Sequence, residues 1–199
     1  MIHIFKPTAK RIEDWAWWDG AFSNEELDWL QNKARNASIT ATVGGMLPTS
    51  TMATTNQVNY NARRSYVEWL GKTEESAWVF ERLEDVVSKL NIDYFNFDLD
   101  GFGEAIQLTN YTDSDNGMYG WHQDYNANVS RKLSVVIQLS APHEYEGGTL
   151  QIMSNDVHDI KKQRGLLVCF PSYMPHQVTP VSKGTRQSLV TWISGPKFK

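Results

Sequence analysis

From residue 94 onward, turn signals cut the chain into short apolar or alternating runs, and this punctuation constrains the fold more than any other feature. The runs are 94–99, 104–112, 132–140, 149–153, 165–170 and 186–194. Between them stand Asp113 to Gly117, Gly147-Gly148, Pro171 to Pro175 and Lys183-Gly184, residues that favour turns and break strands. Six strand-length runs joined by such loops point to a sandwich or jelly roll.

The first half has a different period. Ser23 followed three residues later by Glu26 reads as a capping box, with Phe22 and Leu27 placed as a hydrophobic staple. Leu27, Leu30 and Ala34 continue that helix at its own spacing. A second helix is expected over 74–90, with Thr73 as N-cap and Val79, Leu83, Val86, Val87 and Leu90 as its buried stripe. Between them, 40–61 is rich in Thr, Gly and Asn and reads as loop or irregular strand, a candidate mobile cover. Trp15, Trp17 and Trp18 are read as core aromatics, with a substrate surface as the alternative. The expected fold is α+β, mainly β: a double-stranded β-helix, or jelly roll, with N-terminal supporting helices. One domain is expected over 1–199, its helical part about 1–92 and its jelly-roll core about 93–199.

Composition narrows the function. Hydrophobic residues make up 41% and charged residues 21% of 199 positions, which is ordinary for a packed domain. A net charge of −4 gives no general attraction to nucleic acid or to an anionic membrane, so neither is expected as a partner. No run reaches membrane-span length and Met1 to Lys10 lacks a signal-peptide core, so a soluble cytoplasmic protein is expected. The single cysteine, Cys169, lies in the apolar run Leu166 to Phe170 and reads as core.

The chemistry centres on Tyr119-Gly120-Trp121-His122-Gln123-Asp124. In an extended chain residues i and i+2 project to one face, so His122 and Asp124 can share one ion. His176 follows the run ending at Phe170. Two imidazoles and one carboxylate suit a non-haem Fe(II) centre with open coordination positions. Ten positions after His176 comes Arg186, able to clamp a carboxylate with two parallel hydrogen bonds. By strand periodicity Arg186, Ser188, Val190 and Trp192 share one face.

From about Arg63 to Pro196 the chain resembles the prolyl 4-hydroxylase-like branch of the Fe(II)- and 2-oxoglutarate-dependent oxygenases. The likeness rests on Gln107 to Tyr111, Tyr119 to Asp124, Arg131 to Leu139, Glu146 to Leu150, Phe170-Pro171 and His176 to Trp192. It implies a double-stranded β-helix with all three ligands at its open end. It implies Fe(II) on His122, Asp124 and His176, with 2-oxoglutarate and O2 as cosubstrates and ascorbate as a candidate auxiliary. The far carboxylate of the cosubstrate would sit on Arg186, with Tyr111 beside it and Ser188 and Trp192 in the same pocket. Tyr119 and Arg131 match residues near substrate. Tyr111 and Trp192 read equally as core aromatics, and Arg131 as a solvated strand end.

Two positions depart from the branch. Collagen-type relatives carry Lys where Arg186 stands, and Ser194 replaces a His expected two residues beyond Trp192 in proline-hydroxylating relatives. The first keeps the charge; the second bears on substrate. An Asp in the triad favours hydroxylation over halogenation. The expected activity is hydroxylation of a peptidyl proline, with a free amino acid or another protein side chain as alternatives. Peptide, protein and small-molecule substrates all stay open. Rival metal sets, His143 with Glu144 and Glu146, or Asp156 with His158, lack a complete third-ligand pattern. Two rival functions are a non-catalytic jelly-roll binding module and a cupin enzyme that uses no cosubstrate.

Overall fold

The computed structural model describes residues 12–46, 54–125 and 130–197. Its chain runs β1 (Ala16–Trp18), α1 (Asn24–Arg35), β2 (Ile39–Thr40), β3 (Val43–Met46), β4 (Thr54–Gln57), β5 (Arg63–Arg64), β6 (Tyr66–Leu70) and α2 (Ala77–Leu90). A π-helical turn (Asn91–Phe95) leads to β7 (Gly101–Phe102), β8 (Ile106–Thr112), β9 (Met118–His122) and β10 (Arg131–Gln138). After a 3-10 turn (Pro142–Glu144) come β11 (Tyr145–Gly147), β12 (Leu150–Met153), β13 (Val157–Asp159), β14 (Leu167–Pro171), β15 (His176–Val178) and β16 (Val181–Ser194).

Two sheets face each other. The larger follows the order β1-β14-β10-β16-β8-β6-β2, with β11 and β7 also paired to β16. The smaller follows β13-β12-β15-β9-β5. This is the mainly β jelly roll expected from the turn pattern, although β1, β2, β5 and β6 come from the part read as helical.

Alternation along the large sheet makes two layers of core. Ile106 and Leu108 of β8, Leu133, Val135 and Ile137 of β10, and Leu189 and Ile193 of β16 pack with the buried faces of α1 and α2. The intervening residues turn toward the small sheet, where Val136, Leu150, Ile152, Val168, Phe170 and Val178 form the second cluster. The site lies in this inter-sheet layer, and the helices buttress its far wall.

The capping box forms: Ser23 Oγ accepts from the Glu26 backbone N–H at 3.2 Å, and the Glu26 carboxylate accepts from the Ser23 N–H at 2.8 Å. The second helix begins later than expected. Ser76 is its N-cap, and the Thr73 N–H instead donates to Ser76 Oγ at 2.9 Å. The expected stripe is buried in full, with Phe80 added.

Two expectations, the strand at 94–99 and the burial of Trp17, need correction, and the reading of 40–61 is met in part. The run 94–99 is no strand. Helix α2 passes into the π-turn, Asn96 adopts a left-handed φ of 54°, and the Asn91 side chain bonds Phe97 at both its N–H and its carbonyl. The segment 40–61 contains a paired β3–β4 hairpin; its lid role falls partly on 47–53, outside the described residues. Trp17 is 62% exposed rather than core. Trp15 is half-buried against His158, with ring centroids 4.6 Å apart, and Trp18 packs on the helix-side core.

Candidate metal centre and carboxylate pocket

His122 ends β9 and His176 opens β15, and these antiparallel neighbours pair in register. Two imidazoles on adjacent strands therefore rise from the inner face of the small sheet side by side, their ring centroids 4.1 Å apart. Asp124 follows on a bend whose backbone N–H donates to Ser172 O at 3.0 Å. One ligand atom from each of the three lies within 4.8 Å of the others, the only such cluster of three among the described residues. The rival sets around His143 and His158 form none.

Hydrogen bonds fix which nitrogen faces inward. Nδ1 of His122 lies 2.8 Å from Gly120 O, and Nδ1 of His176 lies 3.0 Å from Met174 O. A carbonyl only accepts, so each Nδ1 carries the proton and each Nε2 presents its lone pair. Those Nε2 atoms stand 3.7 Å and 3.4 Å from the Asp124 carboxylate. Acceptors converge there with no donor between them, an arrangement that a cation satisfies. An N,N,O set with open positions suits a first-row transition metal better than Mg²⁺ or Ca²⁺.

The protonation states agree. Burial lowers the His122 pKa to about 3, with the nearby His176 adding to the effect, so the imidazole is held neutral. Burial alone would raise Asp124; the neighbouring imidazoles, Arg131 and a hydrogen bond from Ser134 outweigh it and bring the carboxyl to about 2. Ser134 Oγ donates to Asp124 Oδ2 at 2.7 Å and meets Ser172 Oγ at 3.0 Å. Ser134 and Ser172 were not singled out in the sequence; small hydroxyl residues in strand runs give no signal of their own.

On the opposite wall, Arg186, Ser188, Val190 and Trp192 of β16 share the cavity with the triad, as strand periodicity predicts. Arg186 is 1% exposed. Its Nη1 donates to Ser188 Oγ at 3.2 Å, and Tyr111, its cross-strand partner on β8, lies under the guanidinium at 5.3 Å. Tyr145 is adjacent: its hydroxyl donates to Gln138 at 3.3 Å, and its oxygen faces the Arg186 guanidinium as an acceptor. Nε and Nη2 of Arg186 are buried and find no partner among the described residues. A buried cation with two idle donors is costly unless an anion completes it. Gly148 makes room for the side chain: a Cβ there would meet Arg186 Cδ at 3.0 Å, and its φ of +56° is itself unfavourable for other residues.

Arg131 is placed differently from a solvated strand end. Its guanidinium makes two 2.7 Å bonds to Glu104, lies 3.8 Å above the Trp192 ring, and stands 4.0 Å from Asp124 Oδ1. The indole N–H of Trp192 is buried and finds no partner among the described residues. Tyr119 stacks on His122 with centroids 3.5 Å apart, and burial raises its phenol to about 12, so it remains protonated. Arg63, on β5, also reaches the cavity; it entered the sequence reading only as the start of a resemblance.

The comparisons with known proteins agree with this geometry. The 2OG-Fe(II) oxygenase superfamily profile matches residues 106–194. A PKHD-type hydroxylase of Stenotrophomonas maltophilia (strain K279a) is 36% identical over 88 residues, which cover 40% of this chain and 39% of the relative. The chain thus spans about two-fifths of the length of such curated relatives. In fold, a Pseudomonas putida prolyl-4-hydroxylase superposes with a TM-score of 0.69 at 19% identity, covering 92% of this chain and 93% of that one. A prolyl hydroxylase from Trichoplax adhaerens, in complex with a hypoxia inducible factor peptide fragment, gives 0.72 at 18% identity, covering 92% and 84%. Residues 106–194 thus match the 2OG-Fe(II) oxygenase superfamily profile, and the fold as a whole is similar to that of the two prolyl hydroxylases.

Proposed function

We propose that this chain is an Fe(II)- and 2-oxoglutarate-dependent hydroxylase of the prolyl 4-hydroxylase type, acting on proline in a peptide. The observation that carries the proposal is the cavity shared by two kinds of unsatisfied group. His122, Asp124 and His176 offer lone pairs to one point, and Arg186 offers two buried donors across from them. A metal and a carboxylate answer both demands at once.

His122, Asp124 and His176 would hold the iron, and Arg186 with Ser188 the far carboxylate of 2-oxoglutarate. When bound, iron, cosubstrate and O2 supply transfer of one oxygen atom to a substrate C–H bond, with release of succinate and CO2. The protein's own part is orientation. Ser134 fixes the Asp124 carboxylate, and the Gly120 and Met174 carbonyls fix the two imidazoles. Glu104 and Trp192 hold Arg131 against the Asp124 side of the site. Val136, Leu150, Val178 and Val190 give the cavity apolar walls. The Tyr119 and Trp192 rings suit a proline ring, and the named prolyl hydroxylases of like fold support that substrate class.

A cosubstrate-free metal enzyme would have no use for Arg186 and Tyr111 in this arrangement, and a binding module would have none for the convergent triad. The net charge of −4 favours peptide, protein or small-molecule partners over nucleic acid. Among the described residues no helix is long and apolar enough to cross a membrane.

The test is succinate formation after anaerobic loading with Fe(II) and 2-oxoglutarate, followed by O2, with and without a proline-containing peptide and with and without ascorbate. The expected result is turnover lost in His122→Ala and Asp124→Ala, with one oxygen gained on the peptide's proline. Folded protein that neither binds iron nor forms succinate would overturn the oxygenase reading.

A further inference from the structure

The cavity contains a second buried arginine for which the metal and cosubstrate leave no task. Arg63 is 7% exposed. It sits on β5, the edge strand of the small sheet, paired in register with Tyr119 of β9, and Tyr119 in turn pairs with Val178 of β15. All three residues line the cavity on the same wall as the ligand histidines, facing Arg186 across it. The Arg63 guanidinium lies 4.6 Å from the Tyr119 ring centre, and that ring stacks on His122.

Its neutral contacts are modest. Nε donates to Ser65 Oγ at 2.8 Å, and Nη1 reaches Thr42 O at 3.5 Å. Among the described residues no carboxylate comes within 4.0 Å of it, although other cavity-side cations are matched: Arg131 has Glu104 and Asp124. The stretches outside the described residues contain no Asp or Glu. A desolvated cation without an anion is strongly unfavourable, and a face of tyrosine offsets only part of that cost. The cosubstrate's distal carboxylate is already matched to Arg186, which has the idle donors. The remaining uncompensated positive charge stands one aromatic ring away from His122, on the wall of the same cavity.

We infer that Arg63 recognises a carboxylate on the substrate close to the carbon that is oxidised. This rests on the oxygenase reading and narrows its substrate class: the substrate is an anion at this point, not a neutral peptide segment. Two sources share that chemistry. One is the α-carboxylate of a free or C-terminal proline; the other is an acidic side chain next to proline within a peptide. Arg63 lies outside the span 106–194 over which the superfamily profile matches.

The test compares matched acid and amide probes in the iron-loaded protein: L-proline against L-prolinamide, and acetyl-Ala-Pro-Asp-amide against acetyl-Ala-Pro-Asn-amide. Stimulated succinate formation is read for each. One pair should favour the acid about ten- to a hundredfold, as expected for a charge-assisted bidentate contact, and which pair does so identifies the source. Arg63→Gln should abolish that preference, and Arg63→Lys should retain it in reduced form. A melting curve and the dissociation constant for 2-oxoglutarate are measured for both variants. Equal rates on acid and amide in both pairs overturn the inference while triad-dependent succinate formation leaves the oxygenase reading standing. So does an Arg63→Gln protein that is folded, keeps the acid preference and instead binds 2-oxoglutarate weakly, since that assigns Arg63 to the cosubstrate. Absence of triad-dependent succinate with any probe removes both.

Discussion

At the scale of single residues, the site is built from groups that the protein alone leaves unsatisfied, and their partners are what fix them. Ser134 is the clearest case, because its hydroxyl reaches one ligand directly. Ser134→Ala should leave the fold intact and weaken metal binding by about 10- to 100-fold, as loss of an outer hydrogen bond to a ligand does, measured by competition with a chromophoric chelator. The metal-free protein should also be sensitive to acid. Folded His122 refuses a proton until about pH 3, while in the unfolded chain it accepts one near 6.5. The stability it contributes is therefore complete above pH 6.5 and is lost as pH falls toward 3; Asp124 adds a further loss between 3.8 and about 2. At pH 5 the His122 effect amounts to about 1–2 kcal/mol. Urea unfolding at pH 7 and pH 5 should show that loss in the parent and a flatter profile in His122→Gln. The triad and Arg186 stood out in the sequence by their combined order and strand spacing, and Tyr111 only through the family resemblance; all five line one cavity. Ser134 and Arg63 did not stand out, since their roles depend on neighbours far away in the chain.

At the scale of elements, legibility followed the strength of local chemistry. The capping box at Ser23 and the buried stripe of α2 are set by residues three and four apart, and both form as the spacing requires. The run 94–99 failed because Tyr94, Phe95 and Phe97 alternate with polar residues as a strand does, yet α2 already delivers the chain there in helical form and Asn91 ties off the turn. Short strands such as β5 and β15 have no sequence signature; they exist because β9 and β12 present open edges to them. Helix α1 lies against β8 and β16, the strands that carry Tyr111 and Arg186. Ser23→Ala should cost about 1 kcal/mol, visible as a melting temperature lower by about 2–4 °C. Its turnover per folded molecule should be unchanged, because the cap lies on the side of the large sheet away from the cavity.

At the scale of the whole molecule, ligands from the small sheet and the arginine from the large sheet face one another across a single inter-sheet layer. Metal and cosubstrate would together bridge the two sheets. Removing the metal should therefore lower stability as a whole rather than locally. With metal present at about 100 times its dissociation constant, chelation is expected to cost about 2.7 kcal/mol and to lower the melting temperature by about 5–10 °C. Scanning calorimetry before and after chelator addition measures it, and a shift confined to a minor pre-transition would contradict the bridging arrangement.

The long strand β16 pairs with β10 on one side and β8 on the other, and takes β7 and β11 at its ends. It also follows all four in the chain. During synthesis, then, the strands made earlier emerge from the ribosome as flanks without a centre, and the nascent chain holds unsealed sheet edges until residues 181–194 arrive. Arg186 is delivered by the same stretch that closes the sheet. The stretch that closes the large sheet is thus also the one that brings Arg186 to the cavity, and it follows His122, Asp124 and His176 in the chain.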